Sequence, residues 1–300
     1  TVPLEGNLNY YQNYGEWPVR EIQDRDIFYH NLGPSIENAR KADIILVGHS
    51  MVMWAFREDL IKEFEQKHGV KIYNLSFAGI ASGEFVKKIA KRWGLKPKLW
   101  VINADDQMTS FFNPVLDDFG PFGKSTALEV VKYGRFNSYL KVTGRNLRWR
   151  LENKLNHFLP ESLKQALGLG PSQVVWRSIE NGNWYLEKLA VYTNPANPLI
   201  HLKRTSPCPL SSKELEQAKS YLSDLGGNSL FMLVPSENFC SQRVKELASA
   251  LRREAVMPPN VAYTTADGGQ HLDKKGAIAF TRFFLSSLER TQAFKKAVAS

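Results

Sequence analysis

Ser50, His271 and Asp267 are residue types that together perform nucleophilic catalysis. A serine hydroxyl attacks poorly until a base takes its proton. Histidine serves as that base when a carboxylate fixes its tautomer and steadies the imidazolium. Asp267 and His271 are separated only by Gly268, Gly269 and Gln270, so a single turn can present both. Ser50 closes Gly48-His49-Ser50 at the end of the apolar run Ala42 to Val47, with Trp54, Phe56 and Arg57 just beyond. Taken alone, a serine there reads as the cap of the next helix, because Ser is a favoured N-cap. An Asp and a His brought to the same place make it a candidate nucleophile.

The elements that must position these residues follow an α/β order. Apolar runs at 43–48, 70–75, 98–103, 228–235 and 261–264 predict five buried strands. Between and after them, helices are expected over 57–68, 84–93, 212–225, 241–254 and 274–288, with Ser211 or Ser212 as an N-cap, Glu214 in the first turn and Gly226-Gly227 as a stop. Strand and helix alternating at this spacing predict right-handed βαβ units: a three-layer α/β/α sandwich on a five-stranded parallel, flavodoxin-like sheet. In such a sheet all carboxyl ends share one edge, which gathers Ser50, Gly79, the Asn103 to Gln107 segment, and Asp267 with His271.

The alternation stops after the third strand. The expected organisation is an N-terminal arm over 1–40 with a short helix near 35–41, an α/β core over 41–108 and 206–292, a mostly helical basic insertion or lid over 109–205, and a tail over 293–300. A structureless loop as long as that insertion would be exceptional. The chain carries a formal net charge of +9. Nine basic residues (Lys132, Arg135, Lys141, Arg145, Arg148, Arg150, Lys154, Lys164, Arg177) lie between 132 and 177 against only Glu152 and Glu161. That balance favours acidic partners such as an anionic polysaccharide, a lipid surface or nucleic acid, and the interleaved Trp149, Trp176 and Trp184 suit either sugar stacking or packing of the lid onto the core. Nucleic acid is not the expected partner, since no recognition motif accompanies the charge. There is no G-x-x-x-x-G-K-[ST] and no G-x-G-x-x-G, which argues against nucleotide binding, and scattered histidines without H-E-x-x-H spacing argue against a metal site. No cofactor is expected. Cys208 and Cys240 fit either one disulfide in an exported protein or two buried thiols in a cytosolic one.

In four places the sequence resembles the SGNH (GDSL-type) hydrolase family. Val47-Gly48-His49-Ser50 looks like its Gly-Asp-Ser block, Asn74 to Gly79 like its glycine-bearing loop, Asn103-Ala104-Asp105-Asp106 like Gly-X-Asn-Asp, and Asp267 to Leu272 like Asp-X-X-His-Leu. The resemblance implies Ser50 as nucleophile, His271 as base and then acid, Asp267 as its orienting acid, and an oxyanion hole drawn from Ser50, Gly79, Asn103 and Asp105. Three departures stand out. His49 replaces the family Asp, the Asp–His spacing is one residue longer, and Asp105 stands where the family has Asn. An ionised carboxylate repels an oxyanion, so either Asp105 is protonated, or Asn103 or Gln107 donates instead, or only the Ser50 and Gly79 amides serve. One lost donor costs roughly 3 kcal/mol of transition-state stabilisation. His49, Gln107, Arg148, Trp149 and Arg150 are the candidates for substrate contact. The resemblance extends to exported members that O-acetylate polysaccharide. The expectation is therefore serine-dependent acyl transfer to a cell-envelope or secreted polysaccharide, with a membrane-bound acyl-donor partner, in a periplasmic or extracytoplasmic protein held by an N-terminal anchor outside this sequence. The alternatives are a carbohydrate or lipid esterase of the same family, or a catalytically silent module that binds glycan or a partner.

Overall fold

The computed structural model of the chain describes residues 10–14, 24–77, 82–105, 175–184, 199–201, 208–237, 240–259, 261–266 and 269–299, with short pieces between 136 and 163. The arm contributes β1 (Tyr10–Tyr14), α1 (Asp24–His30) and α2 (Ser35–Arg40). The first half of the core follows as β2 (Ile44–Val47), α3 (Ser50–Ala55), α4 (Glu58–His68), β3 (Ile72–Asn74), α5 (Ser82–Trp93) and β4 (Leu99–Asn103). Within 109–205 lie β5 (Val175–Ser178) and β6 (Leu199–His201), and helical pieces occur between 136 and 163. The second half is α6 (Ser212–Leu225), β7 (Ser229–Met232), α7 (Ser241–Ala250), β8 (Ala255–Val256), β9 (Ala262–Thr264), α8 (Lys274–Leu288) and α9 (Gln292–Ala299).

Five strands form one parallel sheet in the order β3-β2-β4-β7-β8. Helices flank it, giving the flavodoxin-like three-layer sandwich expected from the alternation. Ile44, Ile45, Leu46 and Val47 are wholly buried, as an uninterrupted apolar run must be when both faces of its strand are covered. Helix α8 packs on α3 and α4, and α5 packs on α6. Local chemistry sets the helix ends. Ser211 caps α6 in a full capping box, its Oγ accepting from Glu214 N at 3.2 Å while its own N donates to Glu214 Oε2 at 2.8 Å. Gly69 ends α4 at φ +65°, a conformation that favours glycine. No helix among the described residues is long and apolar enough to cross a membrane.

The fifth sheet strand differs from the expected one. It is Ala255–Val256, not the run at 261–264. Pro258 and Pro259 follow almost at once, and proline lacks the N–H that a ladder needs, so the strand stops after two residues. The later run instead forms β9, which pairs antiparallel with β6 in a separate two-stranded sheet. The arm is likewise more ordered than its mixed composition indicates: β1 pairs antiparallel with β5, and α1 precedes the expected helix at 35–40. Of residues 293–300, expected as a tail, those described, 293–299, enter the core. Gln292 and Ala293 donate their N–H groups to the Glu254 carboxylate at 2.9 and 2.7 Å, and α9 buries Ala293, Phe294 and Ala297. Cys208 and Cys240 form a disulfide with Cα atoms 6.3 Å apart, tying the chain before α6 to the start of α7.

Candidate functional site

The site begins at the turn from β2 into α3. Gly48 leaves the strand, His49 occupies the N-cap position with extended backbone, and Ser50 is the first residue of the helix. The N-cap position that a lone serine would suggest therefore falls to the residue before it, whose side chain makes no capping bond. Ser50 Oγ stands 2.9 Å from His271 Nε2, and both residues are only partly buried. Hydroxyl and imidazole thus lie at hydrogen-bonding distance where solvent or substrate can reach them.

His271 reaches this place from a tight turn rather than from the end of a sheet strand. Ala266 N donates to His271 O at 2.8 Å, Thr265 and Leu272 form a β-bridge, and Asp273 N donates to Thr264 O at 3.2 Å. The Asp273 carboxylate is engaged at the start of α8, where its Oδ1 accepts from Gly276 N at 2.7 Å and Thr264 Oγ1 at 2.5 Å. Asp267 lies outside the described residues. Trp54, one helical turn beyond Ser50, lays its ring against the imidazole with centroids 4.8 Å apart, and Trp184 packs on Trp54 at 5.8 Å. This aromatic wall narrows the orientations open to His271. Its sequence signal is the i, i+4 spacing of Ser50 and Trp54, since such a pair shares a helix face.

Behind Ser50 the strand ends are cross-linked by polar side chains. His49 Nε2 lies 2.5 Å from Asp105 Oδ2, with side-chain exposures of 4% and 2%. Asn103 Nδ2 donates to the same oxygen at 2.6 Å, and Asn103 Oδ1 accepts from Val234 N at 3.0 Å. Asn103 and Asp105 are therefore bound to each other and to neighbouring strands, and His49 is buried instead of facing a substrate. On the other flank Phe77 N donates to Gly48 O at 3.2 Å, which docks the loop after β3 against the Ser50 turn. Gly79, two residues further on, lies outside the described residues, as do Gln107, Arg148, Trp149 and Arg150.

Two residues that brace this loop carry no obvious sequence signal. Asn74 ends β3, donating Nδ2 to Val52 O at 3.2 Å and to Asn183 Oδ1 at 3.0 Å, and accepting from Ser76 N on Oδ1 at 3.2 Å. Arg177, counted in sequence with the basic face of the insertion, is fully buried. Its Nε donates to Gly182 O at 2.8 Å and its Nη2 to Asn74 O at 2.6 Å, and the guanidinium lies over the rings of Phe28 and Phe77. Among the described residues no three His, Cys, Asp or Glu side chains group as metal ligands would. No protein-family model, curated protein or solved structure matches the chain.

Proposed function

We propose that this chain is a serine-dependent acyl-transfer enzyme whose acceptor is a hydroxyl group of a cell-envelope or secreted polysaccharide. The observation that supports it most is the 2.9 Å approach of Ser50 Oγ to His271 Nε2 at a half-open strand-to-helix turn. In this reaction His271 takes the Ser50 proton as Oγ adds to the acyl carbonyl carbon, and the carbonyl oxygen becomes an oxyanion, for which the amides of Ser50 and, by the motif resemblance, Gly79 are the assigned donors. Collapse of that intermediate expels the donor's oxygen, which takes the proton back from His271 and leaves an ester on Ser50. His271 then accepts a proton from the acceptor hydroxyl as its oxygen attacks the ester, and Ser50 leaves with that proton. Asp267 is assigned to orient the imidazole. Water in place of the sugar hydroxyl makes the same site an esterase.

Two further parts of the proposal draw on other observations. The Cys208–Cys240 disulfide fits an exported protein, since such bonds persist in oxidising compartments. The basic and aromatic composition of 132–164 suits an anionic glycan or a membrane-bound acyl-donor partner. The test is a fluorophosphonate probe read by intact mass, beside hydrolysis of p-nitrophenyl acetate. One probe per chain is expected on the native protein and none on Ser50→Ala. A folded native protein with neither Ser50-dependent labelling nor turnover would sink the enzyme and leave a silent glycan-binding module.

A further inference from the structure

Asp105 poses an electrostatic problem for any acyl transfer at Ser50. It follows β4, next to the strand that delivers Ser50, and its carboxylate is 2% exposed. A buried negative charge near a developing oxyanion raises the energy of the tetrahedral intermediate, and the low dielectric of the interior strengthens that repulsion. The arrangement around Asp105 answers it. One carboxylate oxygen, Oδ2, meets both His49 Nε2 at 2.5 Å and Asn103 Nδ2 at 2.6 Å. His49 holds the N-cap position of α3, where a polar side chain ordinarily bonds the first helical amides, yet it makes no such bond. Its imidazole is turned to the carboxylate instead. Asn103 is itself fixed by Val234 N, so the His49–Asp105–Asn103 chain spans the ends of β2, β4 and β7.

We infer that His49 is a charge-compensating, positioning residue: by holding the Asp105 carboxylate it allows negative charge to form on the acyl oxygen at Ser50. The inference rests on the acyl-transfer reading and assigns His49 no contact with substrate. It differs from a structural brace in one consequence. If the harm in losing His49 comes from an uncompensated carboxylate, removing the carboxylate as well must repair it. If His49 is only a brace, losing both partners is at least as damaging as losing one.

The experiment measures the rate and saturation of fluorophosphonate labelling at Ser50 for the native protein, His49→Gln, Asp105→Asn and the double variant, with thermal melts to establish folding. His49→Gln is expected to lower the limiting labelling rate by roughly tenfold or more, with little change in probe affinity. Asp105→Asn serves as the reference for the double variant, which is expected to recover most of the loss because it no longer carries the carboxylate. An unchanged rate in His49→Gln, an effect confined to probe affinity, or a double variant as slow as His49→Gln overturns the inference. Should His49→Gln fail to fold, Asp105→Asn decides alone: a fall of about tenfold or more would overturn the claim, because the carboxylate would then be helping. A native protein that is never labelled at Ser50 fails differently, since that outcome removes the acyl-transfer reading itself.

Discussion

Gly48→Ala tests whether the turn that aims Ser50 is as tight as the structure has it. A Cβ at Gly48 would overlap Val52 Cγ2 and lie 3.1 Å from both Val52 Cβ and Asn103 Cβ. Neither neighbour is the free end of a flexible side chain. Val52 is β-branched and fully buried on α3, and Asn103 is pinned between Asp105 and Val234 N. The methyl must therefore be accommodated by moving α3 away from the sheet. Overpacking of this kind costs about 1–3 kcal/mol, which for a chain of this size lowers Tm by about 1.5–5 °C. The larger effect is expected on chemistry. Ser50 rides on the displaced turn, and a shift of roughly 1 Å in a reacting group costs on the order of a hundredfold. Differential scanning fluorimetry and fluorophosphonate labelling measure the two effects side by side. Gly33→Ala is the control, since a Cβ there meets nothing within 4 Å and its φ is not positive. A Gly48→Ala protein that melts within about 1 °C of the native one and labels within about twofold would refute the account of this turn.

Two other outcomes follow from buried groups. Arg177→Met keeps an apolar side chain between Phe28 and Phe77 but leaves Asn74 O and Gly182 O without their guanidinium donors, so a loss of about 2–4 kcal/mol is expected by urea denaturation. Arg177→Lys should rescue little of it, because an ammonium cannot reproduce the planar fork. Burial pushes the Glu65 carboxyl above its ordinary value of 4.5, partly opposed by the Ile72 N–H that donates to it at 2.7 Å. A raised folded-state value means that the group's stabilising contribution is complete below 4.5 and is lost as pH rises through the folded value. Glu65→Gln should therefore gain in Tm relative to the native protein as pH is raised from 4.5, then level off; a gap that narrows with rising pH would show the sign to be wrong.

The parallel sheet was legible because its strands are short apolar runs bounded by turn residues, and because helical periodicity fills the spaces between them. Ala255–Val256 was not legible, since two residues carry no period and the stronger run at 262–264 competes for the same role. What decided between them was the pair of prolines after Met257, a local signal with a backbone consequence. Ser50 and His271 could be read from their places in that order, although the turn holding His271 is anchored by Thr264 and Thr265 and not by the parallel sheet. Arg177 shows the opposite limit. Its charge placed it with the basic residues expected to meet an acidic partner, whereas the Gly182 and Asn74 carbonyls, one of them remote in sequence, and the Phe28 and Phe77 rings explain how a guanidinium can be buried. His49 and Asp105 lie between these cases. In sequence each is a separate departure from the motif it resembles, and each counts against a working site. In space they meet at 2.5 Å, so the histidine standing where the motif has an acid lies against the acid standing where it has an amide. Two departures read one residue at a time become a single contacting pair, and the activity proposed for Ser50 turns on their sum.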